Sequence, residues 1–354
     1  MVDFEDIFKG VHSTLDKHAN TSILKAGDIH LDSRAPFGIL TGIPELDYRL
    51  GRPGLPAGKI IEYFGFEMSG KTTAAFHALA QAQRKGGAGI YIDAEASWDE
   101  SKAIICGIDP YSNFSIAEPN TVEGIFLTLE AVVDNLLAAK WNKPFVAIVD
   151  SVTSVQTNRG METEIGAEPR VGEEARVIRH AVRKLHKKWA KANMVVIFIN
   201  HAIANIASSP FAKQSTSSGG HIIKFQSSVR ISFSSGSDIT KQVKGEKIRT
   251  GMKSFLQIVK LKGSPLVFPK IECLLTNDCG FDSVASLLEA MIKSGMVADK
   301  SKSYALDIEG QDAISFSKNE WSGVVESLGG FSKLYDWWID MCIKEGKMQP
   351  WSEI

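Results

Sequence analysis

From residue 37 to about residue 278, short apolar runs alternate with longer segments of helical period. The runs KIIEYFG (59–65), GIYIDAE (89–95), FVAIVDS (145–151), MVVIFIN (194–200), SSVRISF (227–233), SFLQIVKLK (254–262) and KIECLLT (270–276) predict strands. Helical stretches are predicted at 72–85, 99–106, 121–139 and 172–192. Strands rich in β-branched residues and alternating with helices argue for a mainly parallel sheet covered on both faces. The last three runs follow one another without helices, so the far edge is expected to be antiparallel. Two polar, glycine- and serine-containing loops break the order, one at about 157–171 and one at about 202–218. A loop as long as the second is usually functional or disordered.

Outside this core the pattern changes. Phe4, Ile7, Phe8, Val11 and Leu15 recur at helical spacing, so residues 3–18 read as an amphipathic helix followed by a polar tether. Such a helix can dock on a neighbouring subunit or pack back on its own domain. After Gly280, residues 283–295 and 322–345 read as helices around a polar, hairpin-like stretch, predicting a small C-terminal α+β domain. The expected organisation is therefore 1–36 as N-terminal helix and tether, 37–280 as an α/β core, and 281–354 as a C-terminal domain.

Composition alters this picture little. A hydrophobic fraction of 44% and a charged fraction of 23% are those of an ordinary globular protein. The formal net charge of −1 hides a basic helix around 176–191 and a lysine-rich stretch around 241–270, so a polyanionic partner is compatible with a nearly neutral chain. A solvated helix face is the alternative for the first of these. The four cysteines, Cys106, Cys273, Cys279 and Cys342, form no ligand-spaced cluster and read as free thiols in a reducing compartment. No uninterrupted apolar run reaches membrane length and no signal-peptide pattern opens the chain, so a cytoplasmic protein is expected.

The chemistry concentrates in GFEMSGKTT, Gly65 to Thr73, which fits G-x-x-x-x-G-K-[ST] between a predicted strand and a predicted helix. Backbone N–H groups at a helix N-terminus would wrap a triphosphate, with Gly65, Glu67, Ser69, Gly70 and Thr73 shaping the turn. Lys71 would reach the β- and γ-phosphates, and the Thr72 hydroxyl would hold Mg²⁺. A glycine-rich turn with a surface lysine is the bland alternative. GIYIDAEAS ends in Asp93 and Glu95, and FVAIVDS in Asp150, at the strand ends where open α/β sheets bind ligands. Asp150 reads as a Mg²⁺ carboxylate, or else as a helix cap. Glu95 is the candidate base for the attacking water. MVVIFINH places Asn200 and His201 immediately before the long loop, where a hydrogen-bonding group could sense the γ-phosphate; a structural histidine is the alternative.

These motifs, with ILTGIPELDYRLG, GLPAGKIIEYFG, IDAEASWD, IVDSV, EIG followed by GEEAR and VRKL, SGGHIIKFQSSVRI and IVKLKGSPLVFPK, make the chain resemble the RecA-type recombinases from about Phe37 to Gly295. The resemblance implies a RecA-like P-loop ATPase core, ATP and Mg²⁺ as cofactors, and a helical homo-oligomeric filament on single-stranded DNA that pairs with homologous duplex and exchanges strands. It implies that Glu95 is the catalytic glutamate and that Asp99 lies near the adenine. His201 would take a position held by glutamine in bacterial members. The loops at 157–171 and 202–218 would be the DNA-binding loops, with Arg170, Val171, Arg176 and Arg183 in or behind the first. Phe211 and Lys213 would lie near the tip of the second, and Gly219 and Gly220, just after it, would also bind DNA. Lys260 and Lys262 would complete the neighbour's nucleotide site in trans, beside the interface residue Phe225.

The departures from that pattern are specific. Ile203 and Asn205 replace basic residues after the strand, Lys102 stands where a tyrosine often stacks on adenine, and Pro169 lies in a longer first loop. The chain ends at Trp351–Ile354 without an acidic tail. A phage- or mobile-element-encoded member is the expectation. Two other readings stay open: an ATP-binding regulatory assembly protein of the same fold, and a ring helicase.

Overall fold

The apolar runs become one large sheet. The computed structural model describes residues 35–163, 172–204, 215–217, 220–243, 246–263, 268–301, 303–308 and 312–351. The predicted N-terminal helix therefore lies outside the described residues, as do Pro169, Arg170, Val171, Asn205, Phe211, Lys213, Gly219 and Ile354.

The strands are β1 (Gly38–Ile39), β2 (Leu55–Pro56), β3 (Ile60–Gly65), β4 (Ala88–Asp93), β5 (Phe114–Ala117), β6 (Phe145–Asp150), β7 (Met194–Ala204), β8 (Ser215–Ser217), β9 (Val229–Val243), β10 (Glu246–Leu261), β11 (Ile271–Thr276) and β12 (Gly280–Phe281). The main sheet runs β12-β11-β10-β9-β3-β7-β6-β4-β5, with β8 paired to β7. From β9 through β3, β7, β6 and β4 to β5 the pairing is parallel, and from β9 to β12 it is antiparallel. Both expectations for the sheet therefore hold.

Helices cover both faces: α1 (Pro44–Leu50), α2 (Lys71–Arg84), α3 (Glu100–Ile105), α4 (Val122–Ala138), α5 (Asn158–Met161), α6 (Glu173–Lys191) and α7 (Gly220–Gln226). Alternation along the strands sorts side chains between two cores. Ile61 and Tyr63 of β3 pack with α1 and α2, whereas Ile60 packs with α4 and α6. In α6 the spacing of Ile178, Val182, Leu185 and Trp189 gives one buried stripe, which leaves its basic residues on the other side.

Three details differ from the sequence reading. The loop predicted from 157 holds a short helix, α5, whose N-cap Thr157 accepts from the Gly160 N–H. The loop predicted from 202 begins as strand, because β7 continues to Ala204 and pairs antiparallel with β8. The runs at 227–233 and 254–262 extend into β9 and β10 of 15 and 16 residues, which pair with each other beyond the rest of the sheet.

The C-terminal region contains α8 (Ser283–Lys293), a three-stranded antiparallel sheet of β13 (Val297–Asp299), β14 (Tyr304–Leu306) and β15 (Ile314–Phe316), then α9 (Trp321–Ser327) and α10 (Phe331–Lys344). Its core is built on Leu287, Met291, Trp321, Tyr335 and Trp338. Arg84 of α2 clamps Asp336 of α10 through two 2.8 Å hydrogen bonds. Among the described residues no helix is long and apolar enough to cross a membrane.

Asp47 of α1 is fully buried against α10, accepting from the Thr41 N–H at 3.1 and 3.2 Å and from the Tyr335 hydroxyl. Burial pushes its carboxyl up to about 7, against the opposing pull of those hydrogen bonds. A raised carboxyl stabilises the fold fully below its unfolded value near 4, and that stability is lost as pH rises through 7. The effect is worth at most about 4 kcal/mol. The thermal midpoint of the wild type, measured relative to Asp47→Asn, should therefore fall between pH 5 and pH 8. An unchanged difference between the two proteins would show that Asp47 bears no such linkage.

Candidate nucleotide site

The turn after β3 leaves no room for side chains at two points. A Cβ on Gly65 would lie 2.2 Å from the Phe233 carbonyl oxygen, and Gly70 has φ +95° with a Cβ position 2.8 Å from the Phe281 ring. Gly70 is the N-cap of α2, which starts at Lys71. Ser69 is buried, its hydroxyl donating to the Phe66 carbonyl at 2.7 Å, while its own carbonyl accepts from Ser254 at 2.8 Å. The turn is thus braced within itself and fastened to β10, while Phe66, Glu67 and Met68 face solvent. Thr73, by contrast, is buried within the first turn of α2.

Lys71 Nζ donates to the carbonyls of Gly65 and Phe66 at 3.1 and 2.8 Å. Burial lowers its pKa, opposed by the carboxylates of Asp150, Glu95 and Glu67. Thr72 donates to Asp150 Oδ2 at 2.7 Å, and the Tyr91 hydroxyl approaches the same oxygen at 3.2 Å. Burial raises the Asp150 pKa, and the neighbouring Glu95 charge adds to it, against the Thr72, Tyr91 and Lys71 contributions. A buried carboxylate beside a threonine hydroxyl is a pair of hard oxygen donors, which fits Mg²⁺. Among the described residues no group of three or more histidine, cysteine or acidic side chains is placed to hold a metal ion by itself.

Glu95 is presented by a turn organised around Asp93. That carboxylate accepts from the N–H groups of Glu95, Ser97 and Trp98 at 3.3, 2.8 and 2.8 Å, fixing the backbone past β4. Asp99, expected near adenine, caps α3 by accepting from the Lys102 N–H at 3.1 Å. Glu95 Oε1 meets His201 Nε2 at 2.9 Å and the Ser154 hydroxyl at 2.7 Å. Partial burial pushes the Glu95 carboxyl up, but hydrogen bonds from Ser154, His201 and Ser151 outweigh it and hold the group below the usual range. Lys71, Asp150, Glu95 and His201 therefore meet at one end of the parallel strands.

Behind His201 lies a buried polar pair that the sequence reading missed. Glu62 of β3 accepts from Arg230 of β9 and, at 3.0 Å, from the Asn200 amide, while the Arg230 guanidinium stacks 4.6 Å from the Phe64 ring centre. The acidic residue within KIIEYFG and the arginine within SSVRISF were its only signals, each an ion inside an apolar run.

The remaining expected residues sit apart from this centre. Lys260 Nζ donates to the carbonyls of Lys224 and Phe225 at 3.0 and 2.8 Å, and Lys262 Nζ to that of Gln226 at 3.3 Å. Both ammonium groups thus rest at the C-terminal end of α7, where the helix dipole favours cations. Burial, with Lys262 and Arg230 nearby, lowers the Lys260 pKa. Phe225 projects beside them, 66% exposed. Gly220 opens α7; Arg176 lies on the exposed face of α6 and pairs with Glu173 at 3.8 Å, and Arg183 lies on the same helix, exposed.

Residues 7–279 match the family model described as the RecA N-terminal domain. The chain is 34% identical over 261 residues to Protein RecA of Chloroherpeton thalassium, covering 73% of this chain and 69% of that protein. It is 34% identical over 288 residues to Protein RecA of Acidiphilium cryptum, with 81% and 79% covered, and 33% identical over 261 residues to Protein RecA of Bartonella bacilliformis, with 73% and 71% covered.

Proposed function

This chain belongs to the RecA family, and from its site we propose how its own residues divide that family's work. It is a DNA-dependent ATPase of recombination and DNA repair that uses ATP with Mg²⁺, binds single-stranded DNA and assembles into filaments. The regulatory and ring-helicase readings are not favoured by this membership.

The contact between His201 and Glu95, at 2.9 Å, is the observation on which the assignment of roles rests. Glu95 orients the attacking water and accepts its proton. His201 holds Glu95 and reports the state of the γ-phosphate to β7 and the segment beyond it. Lys71 neutralises the β- and γ-phosphates together with the P-loop amides of Gly65, Glu67, Ser69, Gly70, Thr72 and Thr73. Thr72 and Asp150 hold Mg²⁺, which when bound offsets the charge that develops on the phosphates. Asp99 borders the adenine. Lys260 and Lys262 leave the end of α7 to enter the nucleotide site of an adjacent subunit, with Phe225 packed at that interface. Hydrolysis then depends on assembly, because a lone subunit leaves transition-state charge unneutralised.

Single-stranded DNA lies against the segments around 157–171 and 202–218, contacted by Arg170, Val171, Arg176, Arg183, Phe211, Lys213, Gly219 and Gly220. Phosphate contacts by these arginines and the lysine make the affinity fall with salt. The bases keep their pairing edges free, so a homologous duplex is read by base pairing rather than by protein. Residues 1–36 dock on the neighbouring subunit, 37–280 form the ATPase core, and 281–354 form the C-terminal domain. The working compartment is the cytoplasm of a bacterium or of an infected host.

ATP hydrolysis measured with and without single-stranded DNA tests this reading. The rate should rise strongly with DNA, and helical filaments should appear by negative-stain imaging with an ATP analogue. Absence of stimulation by any polynucleotide across salt concentrations would overturn it.

A further inference from the structure

Resting on the reading of Glu95 as the base, we propose that Ser154 is a positioning residue for that carboxylate, restraining it jointly with His201 until DNA is bound. Two donors from different segments converge on a single oxygen. Ser154 Oγ lies 2.7 Å from Glu95 Oε1, and His201 Nε2 lies 2.9 Å from the same atom. Ser154 stands in the turn between β6 and α5, and its N–H donates to the Ser151 carbonyl at 3.2 Å. That turn is tied down two residues later, where Gln156 bridges Thr121 and accepts from the Val122 N–H at 2.9 Å. The hydroxyl is therefore held in place by backbone on both sides.

The direction of the bonds follows from proton supply. A serine has one hydroxyl proton, and a carboxylate is the stronger acceptor, so Ser154 donates to Glu95. Ser151 Oγ, 2.6 Å from Ser154 Oγ and also within reach of Glu95, places its one proton on either of them, polarising Ser154 in the first case. The effect on the base is twofold. Each donor fixes the orientation of the carboxylate, and each lowers its basicity by stabilising the charged form. The segment following the Asp150 strand thereby acts on the base directly, alongside the segment following His201. The charged and titratable groups facing Glu95 are Asp150 from β6, Lys71 from α2 and His201 from β7. All three persist when Ser154 is replaced.

Ser154→Ala should raise ATP hydrolysis without DNA roughly 3- to 10-fold, the size of one ordinary hydrogen bond lost at an exposed serine. The acid limb of its pH–rate profile should move to higher pH, since a carboxylate with one fewer donor protonates more readily. The stimulation ratio with single-stranded DNA should shrink accordingly. Ser154→Thr keeps a hydroxyl at this place and should restore both the rate and the acid limb. The proposal is overturned if Ser154→Ala matches or falls below the wild-type rate without DNA, if its acid limb does not move, or if Ser154→Thr behaves as Ser154→Ala does. Thermal midpoints of both variants show that folding is not the variable. Glu95→Gln in the same assay separates the two levels. Undiminished turnover would remove the base assignment itself, whereas slow turnover beside an unchanged Ser154→Ala would remove only the role of Ser154.

Discussion

Lys71→Ala is expected to lose ATP hydrolysis by at least about 10²–10³-fold and to lose nucleotide-dependent DNA binding with it. The Lys71 ammonium lies against the Gly65 and Phe66 carbonyls within the turn that would surround the phosphates. Its charge stays available because Asp150, Glu95 and Glu67 oppose the depression of its pKa by burial. An alanine leaves those carboxylates facing the phosphates with no cation between them. Filter binding of single-stranded DNA with and without an ATP analogue, run beside a phosphate-release assay, measures both losses. Mixing the variant with Lys260→Ala extends the test to the subunit contact. If the two lysines serve one composite site from opposite sides, some mixed contacts contain both, and part of the hydrolysis returns. Wild-type binding by Lys71→Ala alone would refute the P-loop assignment.

Glu95→Gln is expected to bind ATP and assemble on DNA while hydrolysing about 10²–10⁴-fold more slowly, the usual worth of a general base. The amide keeps the size of the side chain and one acceptor oxygen, so contacts from Ser154 and His201 can persist in part. What disappears is the capacity to take a proton from water. Long-lived filaments should result, visible as slow DNA release after excess competitor strand is added. Fast release together with normal phosphate production would mean that another group is the base.

Much of this architecture was legible as pattern. The parallel strands β3, β4, β6 and β7 announce themselves because strands covered on both faces read as continuous apolar runs; β3, β4 and β6 end at Gly65, Asp93 and Asp150, and β7 carries His201 three residues before its end. Edge strand β5 went unread: FSIA is four residues long and partly exposed, so no alternation develops. The outer halves of β9 and β10 were equally silent. Residues 234–242 and 246–250 are largely polar and open to solvent, and without a buried face the period of two leaves no trace in hydrophobicity. Ser154 was missed for another reason. A serine four residues past an aspartate is unremarkable in sequence, and its meaning comes from a 2.7 Å contact with a residue 59 positions earlier. Lys260 and Lys262 were found through resemblance, but their rest position on α7 depends on the strand register that sets Lys260 opposite Arg230.

Strand β7 changes mechanical character at His201. Up to Ile199 it is a beam clamped on both flanks, paired with β6 to that residue and with β3 as far as His201. Past it, residues 202–204 are paired with β8 alone. Force applied at His201 therefore meets very different stiffness on its two sides. Moving the inner beam would break two ladders and shift an apolar strand out of register, whereas moving the outer arm disturbs a single short ladder. A displacement at His201 would therefore meet less resistance outward along the chain than inward.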